Sequence, residues 1–181
     1  LSSKRSELTR LQNLYYDQNS QKHALISKIQ VLNDFSNSYY GGVKNVLNER
    51  SLSGIHGTVE SLINTEEKYV SAIEIALASA TQHIVVGKVE NAKAAIEFLK
   101  RGNLGRATFL PIEAMKSRLV DQKMLSFLRT QSGFIDLGVN IIHFDNKFVR
   151  VMNNLLGNVL ICDTLNHATE ISRKVNNAFR I

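Results

Sequence analysis

From Leu8 onward, apolar residues return alternately three and four positions apart: Leu8, Leu11, Tyr15, Leu25, Ile29, Leu32 and Tyr39, with Gln18, Lys22 and Ser36 filling the same series. A 3.5-residue repeat keeps one narrow stripe facing a partner helix, so the pattern predicts a coiled-coil seam. No glycine or proline falls before Gly41. A continuous helix over about residues 3–38 would be roughly 50 Å long at ~1.5 Å per residue. It needs a partner, either a second copy or a returning segment of the same chain. The alternative, an amphipathic helix folded down on the rest of the protein, calls for a wider stripe than this one. The pair Gly41-Gly42 is expected to end the helix.

After the glycines the period changes. Residues 43–48 suit a short helix, and residues 55–63 (IHGTVESLI) read as one strand. Residues 66–80 carry a helical face (Tyr69, Val70, Ile73, Ala76, Leu77, Ala80), with Thr65 as N-cap and Glu66 and Glu67 in the favourable first turn. Residues 83–86 form a short buried strand, 90–101 a helix with Ala92, Ala95, Ile96 and Leu99 inward, and 106–110 a strand stopped by Pro111. Strand, helix and strand in that order predict a parallel, right-handed βαβ unit. Helix 121–130, strand 139–144, helix 147–155, strand 158–162 and a closing helix 166–179 capped by Thr164 complete the expected elements. The fold class is α/β (α+β), with an arm over 1–38 and a two-lobed body over 39–181, its lobes approximately 39–112 and 113–181.

Charge sharpens the picture. Of 22 basic and 16 acidic residues, seven basic ones (Lys100, Arg101, Arg106, Lys116, Arg118, Lys123, Arg129) lie between positions 100 and 129 against only Glu113 and Asp121, a local net of +5 within a total of +6. Solvated surface lysines explain such a window as readily as a phosphate-contacting patch does. The apolar content, 44%, is that of a globular chain. The longest apolar stretch, near residues 73–80, is broken by Glu74 and Ser79, too short to span a membrane. The first 30 residues are polar and do not form a signal peptide, which makes a reducing, cytoplasmic setting the default. The chain opens with Leu rather than Met and is expected to be part of a longer protein.

Catalytic chemistry is hard to find. A P-loop ends in Gly-Lys-Ser/Thr, and the turn Gly102-Asn103-Leu104-Gly105-Arg106 neither matches it nor opens a helix. His23, His56, His83, His143 and His167 show no paired metal-ligand spacing. Cys162, the one cysteine, excludes an intrachain disulfide and sits in the apolar run Val159-Leu160-Ile161, where a thiol packs as a small hydrophobe. His56, flanked by Gly54 and Gly57, reads as a structural or surface histidine. A Ser-His-Asp set need not be contiguous, but no Gly-x-Ser-x-Gly elbow is present. No metal and no cofactor is expected.

Several stretches in this order resemble the hinge domain of bacterial SMC (structural maintenance of chromosomes) proteins. They are Gly54-Ile55-His56-Gly57-Thr58-Val59, residues 69–80 followed by Gln82-His83-Ile84-Val85-Val86, residues 92–100, Gly105-Arg106-Ala107-Thr108-Phe109-Leu110-Pro111, and Leu155-Leu156-Gly157-Asn158-Val159-Leu160-Ile161 with the final helix. The resemblance implies a two-lobed hinge with mixed sheets that joins two copies into a ring-like homodimer. It implies that the arm pairs with a returning coiled-coil helix of the same full-length chain. Distant heads would bind ATP and Mg, the assembly would condense and segregate the chromosome in the cytoplasm at the nucleoid, and basic hinge surfaces would contact DNA. Family hinges continue beyond the closing helix into a strand and a glycine-rich segment that supports dimerisation, whereas these residues stop at Ile181. The competing reading from the residues is an independent nucleic-acid-binding domain dimerised by its arm.

Overall fold

The computed structural model describes the backbone of residues 2–181 and the side chains of residues 4, 6–30 and 41–181. Helix α1 (Ser2–Asn48) runs straight through Gly41-Gly42, so the glycine pair does not end the helix and residues 43–48 are its last turns, not a separate element. Each helical glycine costs about 1 kcal/mol relative to Ala. Packing offsets that cost: Val43 and Val46, on one face, are buried with Ala92, Ala95 and Leu99. At 1.5 Å per residue α1 extends about 70 Å.

The stretch expected as one strand, 55–63, is two. β1 (Ile55–Thr58) ends in a 3-10 turn (Glu60–Leu62), and β2 (Ile63–Thr65) enters a different sheet. The break is made locally: the Ser61 amide donates to Thr58 Oγ1 at 3.3 Å and the Ser61 hydroxyl to the Thr58 carbonyl at 2.8 Å, while Val59 is buried. Helix α2 is confined to Val70–Leu77 between 3-10 turns, and Thr65 does not cap it. The Thr65 hydroxyl donates instead to the Ile141 carbonyl, 2.6 Å away.

The βαβ unit forms from β3 (Ile84–Val86), α3 (Val89–Gly102) and β4 (Phe109–Pro111), with β3 and β4 parallel. Pro111 is tolerated inside β4 because that strand is an edge. α4 (Gln122–Arg129) starts at Asp121, whose carboxylate accepts the Met124 amide. β5 (Phe134–Leu137), a 3-10 turn (Gly138–Ile141) and β6 (Ile142–Phe144) replace the single strand expected over 139–144. α5 (Val149–Leu156), β7 (Leu160–Cys162) and α6 (Leu165–Lys174, capped by Thr164) follow. α6 stops short of 179 because Asn176 and Asn177 take left-handed conformations at φ 54° and 55°.

These elements form a repeat. β2 and β6, and α2 and α5, correspond at a constant offset of 79 residues. β1 pairs antiparallel with β3 through a bulge, and β5 pairs with β7 in the same way. Lys68 pairs with Glu66 at 2.7 Å and lies over the Tyr69 ring; Lys147 pairs with Asp145 at 3.2 Å and lies over the Phe148 ring. β2 and β6 pair with each other with Asn64 opposite His143, so a local two-fold axis passes through that pair and joins the halves.

Alternation on β3 divides the core. Ile84 and Val86 face α1 and α3, whereas Val85 faces the larger core built from Val59, Ile73 and Leu77 with Leu128, Met152, Leu156 and Leu160 of the second half. Each half therefore contributes to one shared interior.

Candidate interface surfaces

The seven basic residues of the 100–129 window are all exposed, on two separate supports. Lys100 and Arg101 occupy the last turn of α3, and Arg106 the connection that follows. That turn is stiff: Asn103 takes a left-handed conformation at φ 47°, its amide bonds the Lys100 carbonyl at 3.3 Å, and the Leu104 amide bonds the Leu99 carbonyl at 3.0 Å. Lys116 and Arg118 lie on a strap that crosses the end of α5. There the Asn154 side chain donates to the Lys116 carbonyl at 2.7 Å and the Arg118 amide to the Asn153 carbonyl at 3.3 Å. Lys123 and Arg129 lie on α4. The window contiguous in sequence is thus divided between the α1–α3 core and the larger one. Among the described residues, the ion pairs are Glu66–Lys68, Asp145–Lys147 and Asp163–His167, and none engages any of the seven.

A second surface was not read from the sequence. β7 pairs with β5 along one edge; along the other, Leu160 donates to the Arg180 carbonyl at 2.8 Å and Val159 forms a parallel bridge with Arg180. In the first half the equivalent edge of β3 is filled by β4, and Ile84 donates to Thr108 at the same 2.8 Å. Beside β7 lies a cleft of about 520 Å3, lined by Ala72, Ile75, Ala76, Cys162, Leu165 and Ala168 among others. Ile75 and Leu165 are 80% and 82% exposed, unusual for large apolar side chains beside a strand edge. The same segment holds the halves together: Arg180 donates from Nη1 to the Ala76 carbonyl at 3.1 Å and from Nη2 to the Leu155 carbonyl at 2.7 Å. Ala76 and Leu155 are equivalent positions in the last turns of α2 and α5, so one guanidinium serves the negative ends of two helices. The sequence signal for all this was the repeat Leu62-Ile63-x-x-Glu66-x-Lys68-Tyr69-Val70 against Ile141-Ile142-x-x-Asp145-x-Lys147-Phe148-Val149.

The arm is the third surface. Leu8, Leu11, Tyr15, Leu25 and Ile29 are each more than half exposed along α1. Leu32 falls among the residues whose side chains lie outside the described set, as do Ser36 and Tyr39.

The polar clusters are local locks. His167 Nδ1 meets Asp163 Oδ1 at 2.7 Å and its Nε2 meets Ser132 Oγ at 3.4 Å. These three groups fasten the 131–133 turn to the start of α6, where the Asp163 amide also donates to the Gly133 carbonyl at 3.0 Å. The imidazole holds the Asp163 carboxyl below its ordinary range by hydrogen bonding. Burial pushes the Cys162 thiol up, with the Asp163 charge adding to it, which is the behaviour of an inert thiol. Burial pushes His83 down, and its Nδ1 is buried without a hydrogen-bond partner. Among the described residues no group of three His, Cys, Asp or Glu could hold a metal ion, and no helix is long and apolar enough to cross a membrane.

Residues 52–172 match the family described as SMC proteins Flexible Hinge Domain. The chain belongs to the SMC hinge family. It is 38% identical over 168 residues to the chromosome partition protein Smc of Bacillus subtilis, covering 92% of this chain and 14% of that protein. The Smc of Methanococcus voltae is 34% identical over 175 residues, covering 96% and 13%. Among solved structures, an asymmetric dimer of the Geobacillus stearothermophilus SMC hinge domain superposes with TM-score 0.75 at 29% identity, over 98% of this chain and 72% of that one. The Pyrococcus furiosus SMC hinge domain gives 0.59 at 32% identity, over 71% and 65%. The mixed α+β architecture behind a long N-terminal helix is that of these hinges. The chain spans about one seventh of the length of the relatives it matches.

Proposed function

We propose that this hinge joins two copies of a chromosome-organising SMC ATPase, whose ATP- and Mg-binding heads lie outside these residues, and that it carries a sequence-tolerant DNA surface. The observation that carries the dimer reading is the β7 edge, covered on that side by only a single bridge to Arg180, with the exposed Ile75 and Leu165 beside it: a strand edge so thinly covered, next to apolar side chains, favours another chain. Two copies close a symmetric assembly when each offers complementary surfaces. The exposed seam of α1 suits a returning helix of the same full-length chain. The setting is the cytoplasm, at the nucleoid.

The DNA reading rests on exposed cations that, among the described residues, form no ion pair with a carboxylate. Lys100, Arg101 and Arg106 share one support, and Lys116, Arg118, Lys123 and Arg129 extend the surface across the second half. Phosphate contacts release condensed counterions, so affinity falls with salt at a log–log slope of about 0.9 per contact. Replacing Lys100, Arg101 and Arg106 together by Ala should lower the slope by roughly one unit per lost contact, measured by fluorescence anisotropy on duplexes of unrelated sequence. Unchanged slope and affinity would remove these three residues from the surface.

A further inference from the structure

The two halves of the repeat differ at the ends of their equivalent helices. In the second half the 115–120 strap lies across Asn153, Asn154 and Gly157 of α5. Beyond the bonds to Asn153 and Asn154 already described, the Val120 amide donates to the Gly157 carbonyl at 3.4 Å, and a Cβ at Gly157 would fall on the Arg118 carbonyl. At the offset of 79 residues the matching positions on α2 are Glu74, Ile75 and Ala78, and all three are exposed. No strap crosses them, because the segment ahead of β1 is the helix α1. The Ala78 carbonyl accepts the Thr81 hydroxyl at 3.0 Å where its counterpart accepts a strap amide. What stands open is a cleft of about 440 Å3, lined by Glu60, Ile63, Val70, Glu74, Leu77 and Ala78 among others, a size typical of ligand clefts. Ile75 faces the separate cleft beside β7.

We propose that this cleft docks an extended basic peptide segment of a partner protein, laid across the end of α2 as the strap is laid across the end of α5. Charge identifies the occupant. Asn153, under the strap, is neutral and Val139 is apolar, whereas their counterparts at the cleft are Glu74 and Glu60. In a chain of net charge +6, two carboxylates thus border one cleft, and among the described residues no ion pair uses either. Glu60 is held in place by Gln82, whose side-chain amide donates to Oε2 at 2.8 Å. The backbone is prepared as well. The Glu74 carbonyl accepts the Ala78 amide, as the Asn153 carbonyl accepts the Gly157 amide. The Asn153 carbonyl also takes the Arg118 amide of the strap, and a carbonyl has lone pairs for both. The Glu74 carbonyl can take a second donor in the same way. Ile63 and Val70 add an apolar floor, with Val70 38% exposed. The likeness stops at Ala78, which carries a Cβ and stands at φ 47°, a left-handed conformation that costs any residue but glycine.

The test titrates the isotope-labelled whole chain with an acetylated, amidated peptide of the strap's own sequence, residues 114–121, followed by NMR, which detects weak binding. Amide shifts are expected at Ile63, Asn64, Glu74, Ala78 and Thr81. Glu60→Lys combined with Glu74→Lys changes two exposed residues that lie in neither core cluster, and is expected to weaken binding by roughly fivefold or more. Ala78→Gly relieves the left-handed strain and clears the crossing as Gly157 does, and is expected to tighten binding several-fold. A peptide carrying Lys116→Glu and Arg118→Glu is expected not to bind. Shifts confined to the strap and α5 would mean that the peptide merely displaces the strap; these, no binding at all, or an affinity indifferent to Glu60 and Glu74, would overturn the docking cleft. Loss of self-association in the Glu60→Lys, Glu74→Lys protein, read by sedimentation equilibrium, would assign the cleft to a second copy and overturn the separate partner.

Discussion

Arg180 offers the sharpest test of how the two halves are joined. Its guanidinium reaches the Ala76 carbonyl at 3.1 Å and the Leu155 carbonyl at 2.7 Å, one from each of two equivalent helices. A hydrogen bond from a charged donor is worth ~1.5–3 kcal/mol where protected from water. Arg180 is exposed, and a cation near an exposed helix C-terminus contributes only about 0.3–1 kcal/mol. Taking the exposed value for each carbonyl, Arg180→Ala should cost about 0.6–2 kcal/mol. For a chain of this size that is a fall of roughly 1–8 °C in Tm. Arg180→Lys is the diagnostic companion: an ammonium is a point donor and cannot span both carbonyls as the planar fork does, so it should recover half of the loss or less. Scanning calorimetry at one fixed protein concentration reads both, since association would otherwise move the midpoint. If Arg180→Ala melts with the parent, or if Lys restores the full Tm, the fork does not staple the halves.

Two further predictions follow from the arm and from the interior. Leu25→Asp on the exposed seam should abolish concentration-dependent helix pairing in circular dichroism while leaving the calorimetric transition of the body in place, because Leu25 lies in neither core cluster. His83, half-buried and held below the ordinary value of 6.5 by burial, stays neutral in the folded state after the unfolded chain has taken up its proton. The unfolded state then binds more protons, so stability falls as pH drops through about 6.5 and rises with pH across that window. His83→Gln should flatten this part of the pH dependence, seen by comparing denaturation midpoints of the two proteins.

The parts of the fold legible in the sequence were those whose pattern is local. The β3–α3–β4 unit stood out because Ile84, Val85 and Val86 are buried on both faces, and because Ala92, Ala95 and Leu99 make a plain helical stripe. Thr164 announced its helix by side-chain chemistry that acts three residues away; the matching cap at Asp121 was seen only in the structure. What could not be read depended on partners far along the chain. Gly41-Gly42 looks like a stop signal, yet Val43 and Val46 find α3, and Gly42 is needed where Arg106 crosses. Residues 55–63 look like one strand because β1 and β2 are both apolar; only the pairing of β2 with β6 explains the turn between them. The basic window was visible as charge, but its division between two cores is a matter of topology. The β7 edge and the Arg180 fork emerge only once the repeat is superposed on itself.

Dimerisation through the body, and not through the arm, is the claim on which the functional account stands. Sedimentation equilibrium of residues 40–181, which keep Gly42, Val43 and Val46, tests it directly across a wide range of concentration. The account predicts self-association without the arm, weakened by Ile75→Lys and Leu165→Lys beside β7. A fragment that stays monomeric at every concentration, while the whole chain dimerises, would place the contact in the coiled coil and contradict the hinge reading of this protein.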